Sequence, residues 1–213
     1  MTKLPPVIAI DGTFASGKGT LAKRLAAHYG FHYLDTGKLY RAAGRDCLAA
    51  GGDPDDAKAA ARAARAIDPK SLEDPSLKNS EIASAASKLA VHPDVRAALL
   101  EFQRRFAAKA PGAVLDGRDI GTVICPDAAV KLFIDAMPAE RARRRHAELT
   151  GYGEDISYET VAAQLAERDA RDKGRALAPL RPADDSHLID TTHLAIDEVF
   201  AAALRVTQAL LKA

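Results

Sequence analysis

The segment DGTFASGKGT, residues 11–20, follows the apolar run VIAI and spells Gly-x-x-x-x-Gly-Lys from Gly12 to Lys18. A strand that enters a glycine loop and leaves it as a helix aims backbone N–H groups and a helix N-terminus at one point, which suits an anion. In that arrangement Lys18 reaches the terminal phosphates of a nucleotide. The hydroxyl that usually follows the lysine is replaced by Gly19, and Thr20 comes one residue late. Phe14 occupies a loop position where a small residue is expected; it either packs outward or tightens the loop. The alternative is an ordinary glycine turn between a strand and a helix.

Five short apolar runs share the character of the first: VIAI (7–10), FHYL (31–34), AVLD (113–116), VKLFI (130–134) and HLID (187–190). Each leads into a turn and then a helical pattern, so the chain is α/β, with a parallel sheet covered by helices on both faces. The first helix is expected from Lys18 to Tyr29, stopped by Gly30. Ile196, Val199, Phe200, Ala203, Leu204, Thr207, Leu210 and Leu211 form one stripe on a last helix, read as core packing without chemistry. Between the second and third strands, residues 51–111 are alanine-rich and show no strand pattern. Asp53-Pro54 and His92-Pro93-Asp94 look like helix starts there, and 68–80 looks like a loop. That excursion is too long for a simple crossover and is expected to be an inserted helical subdomain on a core of residues 1–50 and 112–213.

The 213 residues allow one such core. No apolar run is long enough for a membrane span, and the N-terminus reads as free of a signal peptide. Cys47 and Cys125 lie far apart in no metal-like spacing, which fits a reduced, cytoplasmic protein without disulfides. A net charge of +1 and 5 % aromatic residues argue against nucleic acid as a partner. No histidine pair is placed to hold a metal.

The charged residues are clustered. YLDTGKLYR (33–41) puts the Thr36 hydroxyl and the Arg41 guanidinium at a helix start, a grip for phosphate or ribose, or else a helix cap and a solvated arginine. In LDGRDIGTVICPDA (115–128), Asp116 ends the third strand, where a carboxylate can orient the water shell of magnesium opposite the phosphate loop. Arg118 can clamp a phosphoryl group and Asp119 can accept from an amine or hydroxyl; the alternative is that these two pair with each other. ERARRRHAEL (140–149), opened by Pro138, sets Arg141, Arg144 and Arg145 on one helical face. ERDARDKGR (167–175) sets Arg168, Asp172 and Arg175 on another, with Arg171 beside it. TGYGEDIS (150–157) joins the two, so residues 145–175 read as a mobile lid over phosphates, or as a salt-bridged surface hairpin.

Taken in order, IDGTFASGKGT, YLDTGKLYR, AASKLAVHPDVRAAL, LDGRDIGTVICPDAAVKLFIDA and RDARDKGRALAPLRPADDSHLIDTT resemble the bacterial-type cytidylate kinases, among the nucleoside monophosphate kinases of the P-loop group. SGKGT is similar to the loop of that group, in which the displaced hydroxyl is a family trait and magnesium is held largely by phosphates and water. The resemblance implies a three-layer fold with strand order 2-3-1-4-5, a small monophosphate-binding insert and a lid. It implies transfer of the γ-phosphoryl of MgATP to CMP or dCMP; a monomer is the default expectation. ATP would lie on residues Gly12, Thr13, Phe14, Ala15, Ser16, Gly17, Lys18, Gly19 and Thr20, with Arg141 and Arg145. Ser87, Arg96 and Asp119 would read the cytosine, and Thr36 and Arg41 the monophosphate. Arg118, Arg168, Asp172 and Arg175 would surround ribose and phosphates, with Lys18, Arg118, Arg168 and Arg175 catalytic. Magnesium would be held indirectly by Thr20 and Asp116. Against the family pattern, the insert looks short, Lys173-Gly174 replaces a pair that commonly includes arginine, and Lys38 has no assigned role. A UMP, AMP or metabolite kinase such as one for shikimate, and a nucleotide-binding switch without turnover, are the rival readings. The acceptor is already an anionic phosphate oxygen, so no general base is needed and catalysis rests on alignment and charge neutralisation.

Overall fold

A computed structural model describes residues 5–212. The reading of residues 1–4 as part of an N-terminus without a signal peptide lies outside them. Five parallel strands form one sheet: β1 (Val7–Gly12), β2 (His32–Asp35), β3 (Ala113–Gly117), β4 (Val130–Asp135) and β5 (His187–Asp190), in the order β2-β3-β1-β4-β5. The apolar runs are continuous because the central strands are covered twice. Ile8, Ile10, Val114, Leu132 and Ile134 face a core with Leu21, Leu25, Val199 and Ala203, whereas Ala9 and Leu115 face one with Leu39, Leu89, Val95 and Leu99. The first core is roofed by α1 (Lys18–Tyr29) and α8 (Ile196–Leu211), the second by α2 (Thr36–Ala49), α3 (Ala57–Arg65), α4 (Ser80–Leu89) and α5 (Pro93–Ala107). Gly30, left-handed at φ 66°, ends α1 as its sequence requires.

The region between β2 and β3 is helical, with two differences from expectation. Asp53-Pro54 opens a turn, and the helix starts later because Asp56 accepts from the Lys58 N–H as its cap. Residues 68–80 are not a free loop: two short 3₁₀ turns, Pro69–Glu73 and Pro75–Lys78, are capped by Asp68 and Asp74 and bury Leu72 and Leu77. A π-helical turn over Ile120–Ile124 lies just after β3. The last pair of helices, α6 (Pro138–Gly151) and α7 (Tyr158–Gly174), forms a hairpin. Cys47 and Cys125 are free thiols. Among the described residues, no helix is long and apolar enough to cross a membrane.

Candidate active site

The phosphate loop is built where β1 gives way to α1. At Gly12, φ is +150° and an added Cβ would lie 1.9 Å from the Ile134 carbonyl oxygen, so only glycine lets β1 end this close to β4. Ala15 and Gly17 also have positive φ, at 61° and 90°, which turns the loop back on itself. Thr13 donates to Asp135 at 2.6 Å, and its carbonyl accepts from Ser16 Oγ and from Lys18 Nζ at 3.2 Å. Gly12 and Thr13 shape the loop from beneath, and Phe14 to Thr20 line the cleft above it. Lys18 is buried. Its ammonium is pulled down to about 7, first by desolvation and then by Arg118, against the opposing pull of Asp116 and Asp35.

Two carboxylates close the loop from the neighbouring strand ends. Asp35 and Asp116 stand in register on β2 and β3. Burial, and then Asp35, raises Asp116 to about 6, while Tyr33 donates its hydroxyl to Asp116 at 2.6 Å. Burial opposes ionisation of Asp35 too, but the Arg41 guanidinium at 2.7 Å outweighs it and holds Asp35 low. Asp35 also caps α2, and Thr36 donates to the Asp116 carbonyl at 2.8 Å. Arg41 is thus neither solvated nor free: it lines the cleft and is paired. Lys38 reaches away to Glu73 of the insert at 2.9 Å.

Past β3, Arg118 and Asp119 do not pair with each other. Arg118 donates to Asp172 of α7 at 2.9 Å, and Asp119 accepts from Arg96 of α5. Asp11 sets this up by accepting from the N–H groups of Ile120 and Gly121, each at 2.7 Å. Asp172 would be raised by burial, but Arg118, Arg168 and Arg175 together keep it low. Burial lowers Arg168 to about 9 and also lowers Arg175. Ser87 Oγ, Arg168 Nε, Arg171 Nε and Arg175 Nη2 are buried without a partner. Ser87, Arg168 and Arg175 all face the cleft, which is therefore short of acceptors.

The α6 arginines divide. Arg144 and Arg145 line the cleft, but Arg141 does not. Four of its five N–H groups go to Ala136 O, Phe14 O and both oxygens of Asp169, so Arg141 clamps α6 to the loop and to α7. The stripe on α8 is also not all core: Ile196 is 64 % exposed and, with Leu194, Ala195 and Val199, makes an apolar wall beside the loop. Thr191 ties that wall to the loop by donating to the Ser16 carbonyl at 2.8 Å, and accepts from Arg144 at 3.0 Å.

These parts border one cleft of about 670 Å³, which runs from the apolar wall past the loop and arginines to Ser87, Arg96 and Asp119. That is the size of a site for nucleotide-sized ligands. The sequence reading missed Asp11, Tyr33, Asp169 and the apolar wall. Only Asp11, an acid ending a buried strand, carried a local signal. No group of three or more potential metal ligands occurs among the described residues. Asp116 lies close enough to the start of α1 that a Cβ on Gly19 would sit 3.6 Å from its carboxylate, and Thr20 also lines the cleft. This sparse donor set fits magnesium held mainly by phosphates and water.

The fold alone is shared with TT1252 from Thermus thermophilus (TM-score 0.51, 24 % identity, 97 % of this chain and 98 % of that one). An uncharacterized protein from Eubacterium ventriosum shares it as well (TM-score 0.53, 17 % identity, 99 % and 100 %). Sequence relatives are far nearer. The cytidylate kinase of Xanthobacter autotrophicus is 58 % identical over 203 residues, 95 % of this chain and 97 % of that protein. The cytidylate kinase of Rhodopseudomonas palustris strain BisA53 is 54 % identical over 204 residues, 96 % and 97 %. The cytidylate kinase family model matches residues 8–209, so with relatives this similar along both full lengths the chain belongs to the cytidylate kinase family.

Proposed function

We propose that the protein transfers the γ-phosphoryl group of MgATP to CMP, and to dCMP as a second acceptor, giving CDP or dCDP and ADP. The observation that carries this is the continuity of one cleft with two different ends. The donor end has the phosphate loop and, beside it, an apolar wall for a base. The acceptor end has a buried Arg96–Asp119 pair and the unpartnered Ser87 hydroxyl. An acceptor carboxylate held by an arginine suits a pyrimidine with an exocyclic amine, and UMP lacks that donor. The switch without turnover is less favoured, since it needs no second end.

Lys18 and the loop N–H groups hold the β- and γ-phosphates. Arg41 and Thr36 take the acceptor phosphate, and Arg118, Arg168 and Arg175 stand between the two, with Asp172 fixing Arg118. Asp116 and Thr20 would orient the water shell of a magnesium ion. When bound, that ion neutralises charge building on the transferred group. The α6–α7 hairpin acts as the lid: its tip reaches the insert, where Glu154 accepts from Ser80 N–H and Oγ at 3.1 and 2.5 Å. Closure there excludes water from the phosphates.

A coupled assay of ADP release with MgATP and equal CMP, dCMP, UMP, AMP or shikimate tests the reading. CMP and dCMP should exceed the others at least about tenfold, the scale of one well-placed hydrogen bond in a buried site. Preference for UMP or AMP would overturn the assignment of Asp119, Arg96 and Ser87. ATP binding without transfer to any acceptor would favour the switch.

A further inference from the structure

Phe14 neither packs outward nor simply tightens the loop. Its ring lies under the Arg168 guanidinium at 4.0 Å, with Arg145 at 5.3 Å and Arg118 at 6.0 Å from its centroid. These three cations come from α6, α7 and the segment after β3, and they converge on one side chain of the phosphate loop. The Phe14 carbonyl is held independently by Arg141 at 3.3 Å. The residue is thus fixed through its backbone while its ring collects charge.

We propose that Phe14 is a positioning residue that preassembles the phosphate-facing arginines, Arg168 above all, by offering them a π face before any anion arrives. Three like charges crowded in a desolvated site repel one another, and burial, with Arg118, Arg41 and Arg145 adding to it, draws Arg168 down to about 9. Arg168 is only partly compensated: Nη1 donates to Ala83 O at 3.1 Å, Asp172 is 3.9 Å from Nε, and Nε has no hydrogen-bond partner. A ring face supplies the missing negative potential, and such contacts strengthen when water is excluded. A guanidinium seated over a ring is held through its central carbon, so its N–H edge stays available. Ring and phosphate therefore act on different parts of the same group. A small residue at position 14 would leave the cations to be gathered by the substrate itself, at the expense of binding energy.

The site role of Arg168 rests on the kinase reading, so the test is built to separate the two. Inorganic triphosphate affinity, measured calorimetrically on the full chain, reports preassembly without turnover. Phe14→Leu should bind it roughly tenfold more weakly, while Phe14→Trp, which keeps a π face, should stay within about twofold of the original. In an Arg168→Ala background the same Leu change should cost less than about twofold, because its partner is gone. With MgATP and CMP, Phe14→Leu should raise the KM for MgATP in step with the lost triphosphate affinity, about tenfold, and leave the KM for CMP within about threefold. Should Phe14→Leu fail to fold, Phe14→Met serves as the second apolar replacement. A Leu or Met variant that binds triphosphate normally overturns the proposal, and so does an equal loss with and without Arg168. If CMP is not phosphorylated but the triphosphate series holds, the kinase assignment fails and Phe14 keeps its role.

Discussion

Lys18 spends the free state hydrogen-bonded to the carbonyl of its own loop, desolvated and next to Arg118. A lysine depressed from 10.5 to about 7 destabilises the free fold. The stability of the neutral form is present above the unfolded value and is lost as pH falls through the folded one. Lys18→Met should therefore raise the melting temperature of the ligand-free protein, by an amount that grows as pH falls from 9 towards 7. The same change should reduce turnover by about a thousandfold or more, the scale of a lost cationic partner in phosphoryl transfer. Triphosphate adds negative charge to that of Asp116 and Asp35, so MgATP binding at pH 8 should take up close to one proton in the original protein and none in Lys18→Met. Calorimetry in two buffers of different ionisation enthalpy reads this directly, and an equal proton count in both proteins would show that another group titrates. The chemical kinds of these residues were legible in the sequence, but their pairings were not. Arg118 and Asp119 are adjacent, yet each takes a partner 54 or 23 positions away, because side chains on opposite sides of a turn cannot face one another.

Among the elements, the strands and α1 could be read from local pattern because burial on both faces demands unbroken apolar runs and Gly30 alone can cap α1 without strain. The Ile120–Ile124 turn could not. It exists because Asp11, more than a hundred residues earlier, accepts two of its N–H groups, and no periodicity within residues 118–125 encodes that. Asp11 is the anchor that presents Arg118 and Asp119 to the cleft. Removing it as Asp11→Ala strands two buried donors, at about 1–3 kcal/mol each, so the denaturant midpoint should fall sharply without a change in slope. Its pH signature has a definite sign. Burial raises Asp11 from 3.8 to about 7 against the pull of the two N–H groups. The unfolded chain ionises first, so this contribution to stability is full below about pH 4 and is lost as pH rises through 7. Asp116, raised to about 6, adds to the same decline, and Asp11→Ala should make it shallower without abolishing it. Chemical denaturation at pH 5, 6, 7 and 8 measures both effects, and parallel curves for the two proteins would remove Asp11 as the titrating group.

At the scale of the whole molecule, the sheet order brings the loop after β1, the acids ending β2 and β3 and the turn after β3 to one edge, and the two helical excursions roof it. The result is a cleft lined by ten cations, among them Lys18, Arg41, Arg96, Arg118, Arg168 and Arg175, and six carboxylates, among them Asp35, Asp116, Asp119 and Asp172, so its charge balance is completed by an anionic ligand. Occupancy must then stabilise the fold, since a ligand that binds only the native state adds about 2.7 kcal/mol at a hundred times its Kd. For a chain of this length that is roughly 5–10 °C in Tm. The decisive variable is whether the two ends communicate. If the arginines between them serve both phosphates at once, a single molecule joining adenosine and cytidine through five phosphates spans the cleft and forfeits its freedom of motion only once. It should raise Tm by more than saturating MgATP and CMP measured separately and added together. An analogue with uridine in place of cytidine should fall short of it, because the Arg96–Asp119 end would then face a carbonyl instead of an amine. A shift no larger than that given by MgATP alone would mean that the acceptor end is not reached through the same cleft, and the transfer geometry would have to be abandoned along with it.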